Sequence, residues 1–437
     1  MLVAPESRVQ RCALHNINQN LSFLDNAKPI QKSEFLHRRD SLAMALASLN
    51  VDAFVIEPGY TFQYYANISQ TDWEPWEPEE RPFLMVIMPI TDAVTGEVLA
   101  NTTFLSPAFE EGRVRMLGIP GEGELDIITW EEHWNPYQTL KSELFRGRTS
   151  VKLMVDEEIR DYIVRGLADA GFDTVGLHDE AAAVRWVKSP SEIEILRAVN
   201  TGTVEAIRAV RTCLVPGLTE NQVIRILDNT LLSIGFSLFF NIVLFDENAA
   251  LPHGGFKTGN KVLEKDTMIL IDVGAHYLGY SSDISRSFFI PPSAVPIPWL
   301  PWSLFTTTAP PSSSSHREEK LKVWRLVRQA QAAAAEMFQP YRTAADVDLT
   351  ARSIIKEAGY GDMKHRVGHG IGIKAHESPY LNQANMQKLR AGMVFTNEPG
   401  IYLEGKFGVR HEDVYLVKSK GAAEVLSGKE ATGPYHP

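Results

Sequence analysis

The 437-residue sequence predicts an α/β N-terminal domain followed by an α+β domain. Three observations lead there. Up to about residue 180, apolar runs of strand length alternate with segments of helical period. Beyond that point strands come in pairs joined by turns too short for a crossover, so they should pair antiparallel. Between the halves, Ser189-Pro190-Ser191 backed by Glu192 and Glu194 marks a stop and a helix start. Domains are therefore expected over residues 30–180 and 184–437.

The first thirty or so residues are polar and read as loosely attached. "EFLHRRDSLAMALASLNVDAFVIEP" then opens the first domain as an amphipathic helix followed by a strand. "YTFQYYANIS", "RPFLMVIMP" and "NTTFLSP" read as further strands. "EEHWNPYQTLKSELFRG" and "IRDYIVRGLADAG" read as helices flanking the strand "VKLMVDE". In "TDWEPWEPEERP" the prolines break any element, and Trp73 and Trp76 read as exposed aromatics that serve either subunit contact at the substrate entrance or plain loop packing. The second domain begins with a helix that carries Ile193, Leu196, Val199 and Val204 on one face. "TENQVIRILDNTLLSIG", "LKVWRLVRQAQAAAAEMF" and "AADVDLTARSIIKEAG" supply further helices. Between them lie "TMILIDVGA" with "YSSDISRSFFI", and "GMVFTNEPGIYL" with "FGVRHEDVYLVK", as strand pairs.

Residues 291–315 break this texture. They are rich in Pro, Ser and Thr and join a strand to a helix over far more than the usual connection of about 4–6 residues. They also carry "IPWLPWSLF", an apolar cluster unusual for a linker. A lid or contact loop is one reading. The other, which we favour, is sequence foreign to the fold, such as a retained in-frame intron, since the flanking motifs read well without it.

Composition narrows the function. Hydrophobic residues make up 44%, and the net charge is −11. An acidic chain lacks the basic face of a nucleic-acid partner. No apolar run reaches membrane-span length, and "FSLFFNIVLF" suits a strand. The 2 cysteines, Cys12 and Cys213, cannot make a disulfide framework and have no metal-type spacing. With no apolar leader visible, a cytoplasmic location is expected, and the N-x-S/T triplets at Asn20, Asn67 and Asn101 read as chance.

The chemistry lies in carboxylates placed on strands. Asp272 follows "TMILI", a buried-strand context where an unpaired charge is costly. A hairpin centred between Tyr277 and Leu278 would put Asp283 opposite it, with Cβ atoms roughly 5 Å apart and like charges repelling. The pattern repeats. A hairpin turning at Gly405 would set Glu398 against Glu412. Any one of these carboxylates could face solvent or pair with Arg286 or Arg410. All of them together are better explained by a cation. "HRVGHGIGIKAHESP" adds histidines, and Gly368, Gly370 and Gly372 within it suit either close backbone approach to a site or tight packing. A carboxylate-rich set with one imidazole suits divalent ions such as Mn²⁺, and two ions about 3.5–4 Å apart can share a hydroxide nucleophile.

At this point the motifs become familiar. "VKSPSEIEILRAV", "NAALPHGG", "IDVGAHYLGYSSDISRS", "HRVGHGIGIKAHESP", "GMVFTNEPGIY" and "GVRHED" resemble, in order, the creatinase, prolidase and aminopeptidase P superfamily of pita-bread metallopeptidases. The resemblance runs from about residue 184 to 416, with a weaker creatinase-like match before it. It implies that Asp272, Asp283, His369, Glu398 and Glu412 hold two divalent ions per subunit, expected to be Mn²⁺, with Asp283 and Glu412 bridging. It implies that His376 and His253 face the substrate, that Glu398 shuttles the proton, and that Arg410 lies near the site. His365 matches no ligand position and reads as structural or supporting. His411 and Asn397 depart from the family's usual residues without removing a ligand. The activity implied is removal of the first residue from Xaa-Pro peptides, or cleavage of Xaa-Pro dipeptides, by a homodimer through a metal-bridging hydroxide. The alternatives are a same-fold hydrolase of another amide or small metabolite, and a non-catalytic binding protein of this fold.

Overall fold

The computed structural model describes residues 5–74, 76–290 and 314–437. By contacts the chain divides into two units, Pro29–Arg185 and Met1–Lys28 with Trp186–Pro437. The segment 291–313, expected to be foreign to the fold, lies outside the described residues.

The chain opens with α1 (Pro5–Ile17), which belongs to the second unit. The first unit then runs α2 (Lys32–Ser48), β1 (Ala53–Ile56), α3 (Tyr60–Ala66), α4 (Gln70–Trp73), β2 (Leu84–Thr91), β3 (Val98–Pro107), α5 (Glu111–Met116), β4 (Asp126–Trp130), α6 (Pro136–Leu144), β5 (Lys152–Val155), α7 (Asp161–Asp169), β6 (Asp173–Val175) and α8 (Asp179–Ala182). Its strands form one mixed sheet in the order β4-β3-β2-β1-β5-β6. The pairs β3–β4, β1–β5 and β5–β6 are parallel, and β1–β2 and β2–β3 are antiparallel. Two sequence expectations fail here. "YTFQYYANIS" forms a helix, because Phe62, Tyr65 and Ala66 fall at i, i+3 and i+4 and are all buried. Trp73 is also buried, its ring 4.3 Å from that of Phe83, whereas Trp76 is 89% exposed.

The second unit continues with α9 (Pro190–Arg211), α10 (Glu220–Ser233), β7 (Ser237–Phe245), β8 (Ile269–Tyr277), β9 (Tyr280–Ser281), β10 (Ile284–Phe288), α11 (Ser314–Ala335), α12 (Ala344–Glu357), β11 (Gly368–Gly370), β12 (Glu377–Leu381), β13 (Val394–Asn397), β14 (Gly400–Leu403), β15 (Phe407–Arg410), β16 (Asp413–Leu416) and β17 (Glu424–Val425). Ser189 caps α9 through a capping box with Glu192, and Pro190 occupies its first turn. One sheet has the order β10-β8-β7, another β12-β11-β13-β16-β17, and β14–β15 is a separate hairpin. Helices α11 and α12 pack an apolar layer, including Val327, Ala334, Val347 and Ala351, against Phe395 and Tyr415 of the second sheet. This is the α+β pita-bread architecture.

The N-terminal segment is not loosely attached. Helix α1 packs on α9 and α10, burying Val9, Ala13 and Ile17. Cys12 and Cys213 form a disulfide across 201 residues. Spacing rules address clustered cysteines and are blind to a single long-range bridge. No helix among the described residues is long and apolar enough to cross a membrane.

Candidate active site

The carboxylates expected from the sequence converge in the second unit. Asp272 sits on β8, the central strand of its sheet, and is 6% exposed. The turn after β8 is centred between Leu278 and Gly279, both with positive φ (48° and 86°), as a two-residue hairpin turn requires. Opposite Asp272 therefore stands Ser285, not Asp283. The expected register was off by two residues, which keeps Asp283 on the same face of the hairpin as a diagonal neighbour.

The second pair is as the sequence indicated. β14–β15 turns around Gly405, and its register continues into β13–β16, where Asn397 faces Asp413. Glu398 and Glu412 lie across from each other where these two ladders meet. There the strands change partners: the Glu398 N–H donates to the Val367 carbonyl at 2.7 Å and the Glu412 N–H to Ser285 at 3.0 Å. Both carboxylates thus stand at the point where β13, β16 and the β8–β10 sheet are stitched together.

His369 enters from β11. Its Nδ1–H donates to the Gly370 carbonyl at 3.1 Å, which leaves the Nε2 lone pair free. That Nε2 is 3.3 Å from Glu398 Oε1 and 3.6 Å from Asp283 Oδ2. It is buried without a hydrogen-bond partner, and so is Glu412 Oε1. Ligand atoms within 4.8 Å of one another form the groups Asp272–Asp283–Glu412, His369–Glu398–Glu412 and Asp283–His369–His376. Orphaned buried polar atoms in such a cluster are what a cation would satisfy. Gly368 answers to packing, not to the site: a Cβ there would meet the Thr396 carbonyl oxygen at 2.2 Å.

Electrostatics fit the same picture. Burial, with Asp283 and Glu398 nearby, pushes the Asp272 carboxyl up to about 6 despite Arg410. Glu412 is driven well above the carboxylate range by burial and by Asp283, Glu398 and Asp272. Burial also opposes ionisation of Glu398, but the imidazole of His369 beside it, with His365 and Arg410 farther off, outweighs burial and holds that carboxyl at about 2.

Arg410 proves central. Its guanidinium is buried and donates to Asp272 Oδ2 at 2.5 Å, Ser285 Oγ at 2.7 Å, the Pro252 carbonyl at 2.9 Å and Tyr402 Oη at 2.8 Å. So the bland expectation of an arginine partner holds for Asp272, while Arg286 pairs with Asp413 instead. From Tyr402 the network reaches His365, whose Nε2 is 2.8 Å from the phenol oxygen. The Nδ1–H of His365 is held by the Arg366 carbonyl at 2.7 Å, so Nε2 accepts from Tyr402. His365, set aside in the sequence, lines the same cavity as Leu251, His253, Arg366, His376, Glu398 and Arg410. That cavity is about 710 Å³, within the usual range for small-ligand sites.

His253 rides an exposed loop after β7. Buried Glu220, which reads in sequence only as a helix-start residue, fixes that loop. It accepts from the Phe245 N–H at 2.7 Å, the Gly259 N–H at 2.6 Å and the Asn248 side chain at 2.9 and 3.0 Å. His376 is 59% exposed at its side chain, with its Nε2 3.6 Å from Asp283. His411 is fully buried against the Trp324 ring at 4.6 Å, and Asn397 Nδ2 donates to the Gln331 carbonyl at 2.8 Å. Neither takes a place in the cluster.

Residues 194–419 match the model of metallopeptidase family M24. The chain belongs to this family. An uncharacterized peptidase of Schizosaccharomyces pombe is 36% identical over 443 aligned positions, covering 100% of this chain and 91% of that protein. The crystal structure of dipeptidase PepE from Mycobacterium ulcerans is similar at a TM-score of 0.74 and 26% identity, over 92% of this chain and 98% of its own. A prolidase from Thermococcus sibiricus is similar at 0.73 and 25%, over 92% and 98%. This M24 chain is a metal-dependent peptidase of pita-bread fold.

Proposed function

We propose that this M24 peptidase is a dinuclear enzyme for substrates with proline at the second position, Xaa-Pro dipeptides or Xaa-Pro peptides. The observation that carries the reading is the convergence of Asp272, Asp283, His369, Glu398 and Glu412 in one buried cluster with His369 Nε2 and Glu412 Oε1 left unsatisfied. Overlapping groups sharing Asp283, His369 and Glu412 suit two ions better than one. The oxygen-rich donor set with one imidazole favours Mn²⁺. Divalent cations bound there supply a water nucleophile at neutral pH and a Lewis acid for the scissile carbonyl.

The side chains do the rest. Glu398, kept ionised, takes the proton of the attacking water and passes it to the leaving amine. His376 and His253 offer N–H donors toward the oxygen that gains charge in the tetrahedral intermediate. Arg410 holds Asp272 and Tyr402 in place. The likeness to a solved prolidase supports proline as the second residue. The homodimer implied by the sequence resemblance is part of the proposal, with Trp76 as an exposed contact on the first unit, and light scattering tests it.

The experiment is a panel of Xaa-Pro dipeptides, longer Xaa-Pro peptides and matched peptides without proline, assayed with Mn²⁺ added and with metal content measured. Faster cleavage of the proline compounds by a protein holding two ions supports the reading. Equal or better cleavage of the others, or one ion at full rate, overturns it.

A further inference from the structure

Within the cavity the permanent charges are unequally matched. Arg410 is neutralised by Asp272 at 2.5 Å. Arg366 has no carboxylate partner among the described residues. Its guanidinium lies over the Tyr380 ring, 4.4 Å from the centroid. The β11–β12 register sets Tyr380 directly opposite His369. Side chains paired in this way share a face, so the ring on which Arg366 rests lies on the same side of the sheet as the His369 imidazole. Arg366 itself is three positions before His369 and lines the cavity with Glu398 and His376. His253 and His365 carry little positive charge there, since burial depresses both, with Arg410 adding to the effect at His253. A cation held on an aromatic face and left without an anion, beside the reacting groups, is arranged for an anionic part of the substrate.

We propose that Arg366 receives the free C-terminal carboxylate of a dipeptide, making this chain a dipeptidase and not an aminopeptidase for longer peptides. The inference rests on the peptidase reading of the same site. In a dipeptide the carboxylate belongs to the residue just after the scissile bond. In a longer peptide that position carries a neutral amide, so the guanidinium discriminates by length. A guanidinium presents two parallel donors that a carboxylate accepts together, whereas an amide is uncharged, accepts only at its carbonyl oxygen, and finds no acceptor on the guanidinium for its N–H.

The test compares four substrates of the Mn²⁺-loaded protein: an Xaa-Pro dipeptide, its C-terminal amide, Ala-Leu and Ala-Leu amide. They are assayed with the native protein, Arg366→Gln and Arg366→Lys, with metal content and thermal stability measured alongside. The native protein should prefer acid over amide by about 10–100-fold in kcat/KM, the range of one charge-assisted pair. Arg366→Gln should lose most of that preference through KM on the acids, with the amides changed less than about threefold. Arg366→Lys should restore part of it on the acids. Metal content and stability should stay put. Equal losses on acid and amide would show a packing role on Tyr380 and overturn the proposal. So would native protein that cleaves amides as readily as acids, or no cleavage of any of the four. Cleavage of Ala-Leu but not of the proline compound would remove the proline specificity while leaving Arg366 to be judged on the Ala-Leu pair.

Discussion

Replacing Arg410 by Met tests the electrostatic design of the site most directly. The change removes the guanidinium 2.5 Å from Asp272 and leaves an apolar chain in its place. Burial already lifts the Asp272 carboxyl to about 6, with Arg410 pulling the other way. A carboxylate loses roughly 10–1000-fold in acidity when such a partner goes, so in the variant Asp272 should be mostly protonated at neutral pH. In the native chain Arg410 pulls it down, so that it is mostly ionised at pH 7. A cation that binds must displace any proton present, and affinity then rises with pH by one decade per decade for each proton released. Glu412 contributes in both proteins, because burial holds it up in either case. The difference is Asp272: the variant should release about one more proton per Mn²⁺ site at pH 7. Calorimetry in two buffers of different ionisation enthalpy counts that proton. Affinity at one pH is a poorer readout, since removing a neighbouring cation also favours the metal. Equal proton release by the two proteins would refute the coupling between Arg410, Asp272 and the metal.

Asp283→Asn should lose both ions and all measurable peptidase activity, as elemental analysis beside an activity assay would show; two retained ions at full rate would end the ligand assignment. His376→Ala should keep its metal and lose roughly 10²–10³ in kcat, the range for one oxyanion donor, whereas loss of metal would make His376 a ligand. Glu220→Ala leaves the Phe245 and Gly259 N–H groups and the Asn248 side chain without their acceptor. It should loosen the loop carrying His253, seen as faster proteolysis within residues 246–259, and lower kcat about tenfold with metal unchanged, in line with a loss of about 1–3 kcal/mol per unsatisfied group spread over the loop. Unaltered proteolysis and rate would show that the loop is held by something else.

Much of this was open to inspection in the linear chain. Acidic residues inside apolar strand runs, such as Asp272 after "TMILI", advertise a compensating cation because burial of an unpaired charge is so unfavourable. The turn at Gly405 also gave the Glu398–Glu412 pairing correctly, since a hairpin's register follows from its turn. The same logic slipped by two residues at Leu278-Gly279, where nothing in the residue types forced the turn onto a non-glycine position, yet the period of two kept Asp283 on the proper face. Other features depend on contacts between segments far apart in the chain. Arg410 meets Asp272 across 138 positions and Pro252 across 158, and Cys12 meets Cys213 across 201. His365 lines the cavity and meets Tyr402 37 positions further along the chain. Trp73 was misjudged as exposed because a proline-broken loop says nothing about the aromatic ring of Phe83 that covers it. Local pattern determines which face a side chain takes on its own strand or helix, and so the sequence sufficed to name the four carboxylates and the histidine that cluster, and the fold that carries them. Which partner that side chain finds is decided by how separate elements pack, and only the tertiary structure could show that Arg410 is already neutralised while Arg366, among the described residues, faces the cavity without an anion.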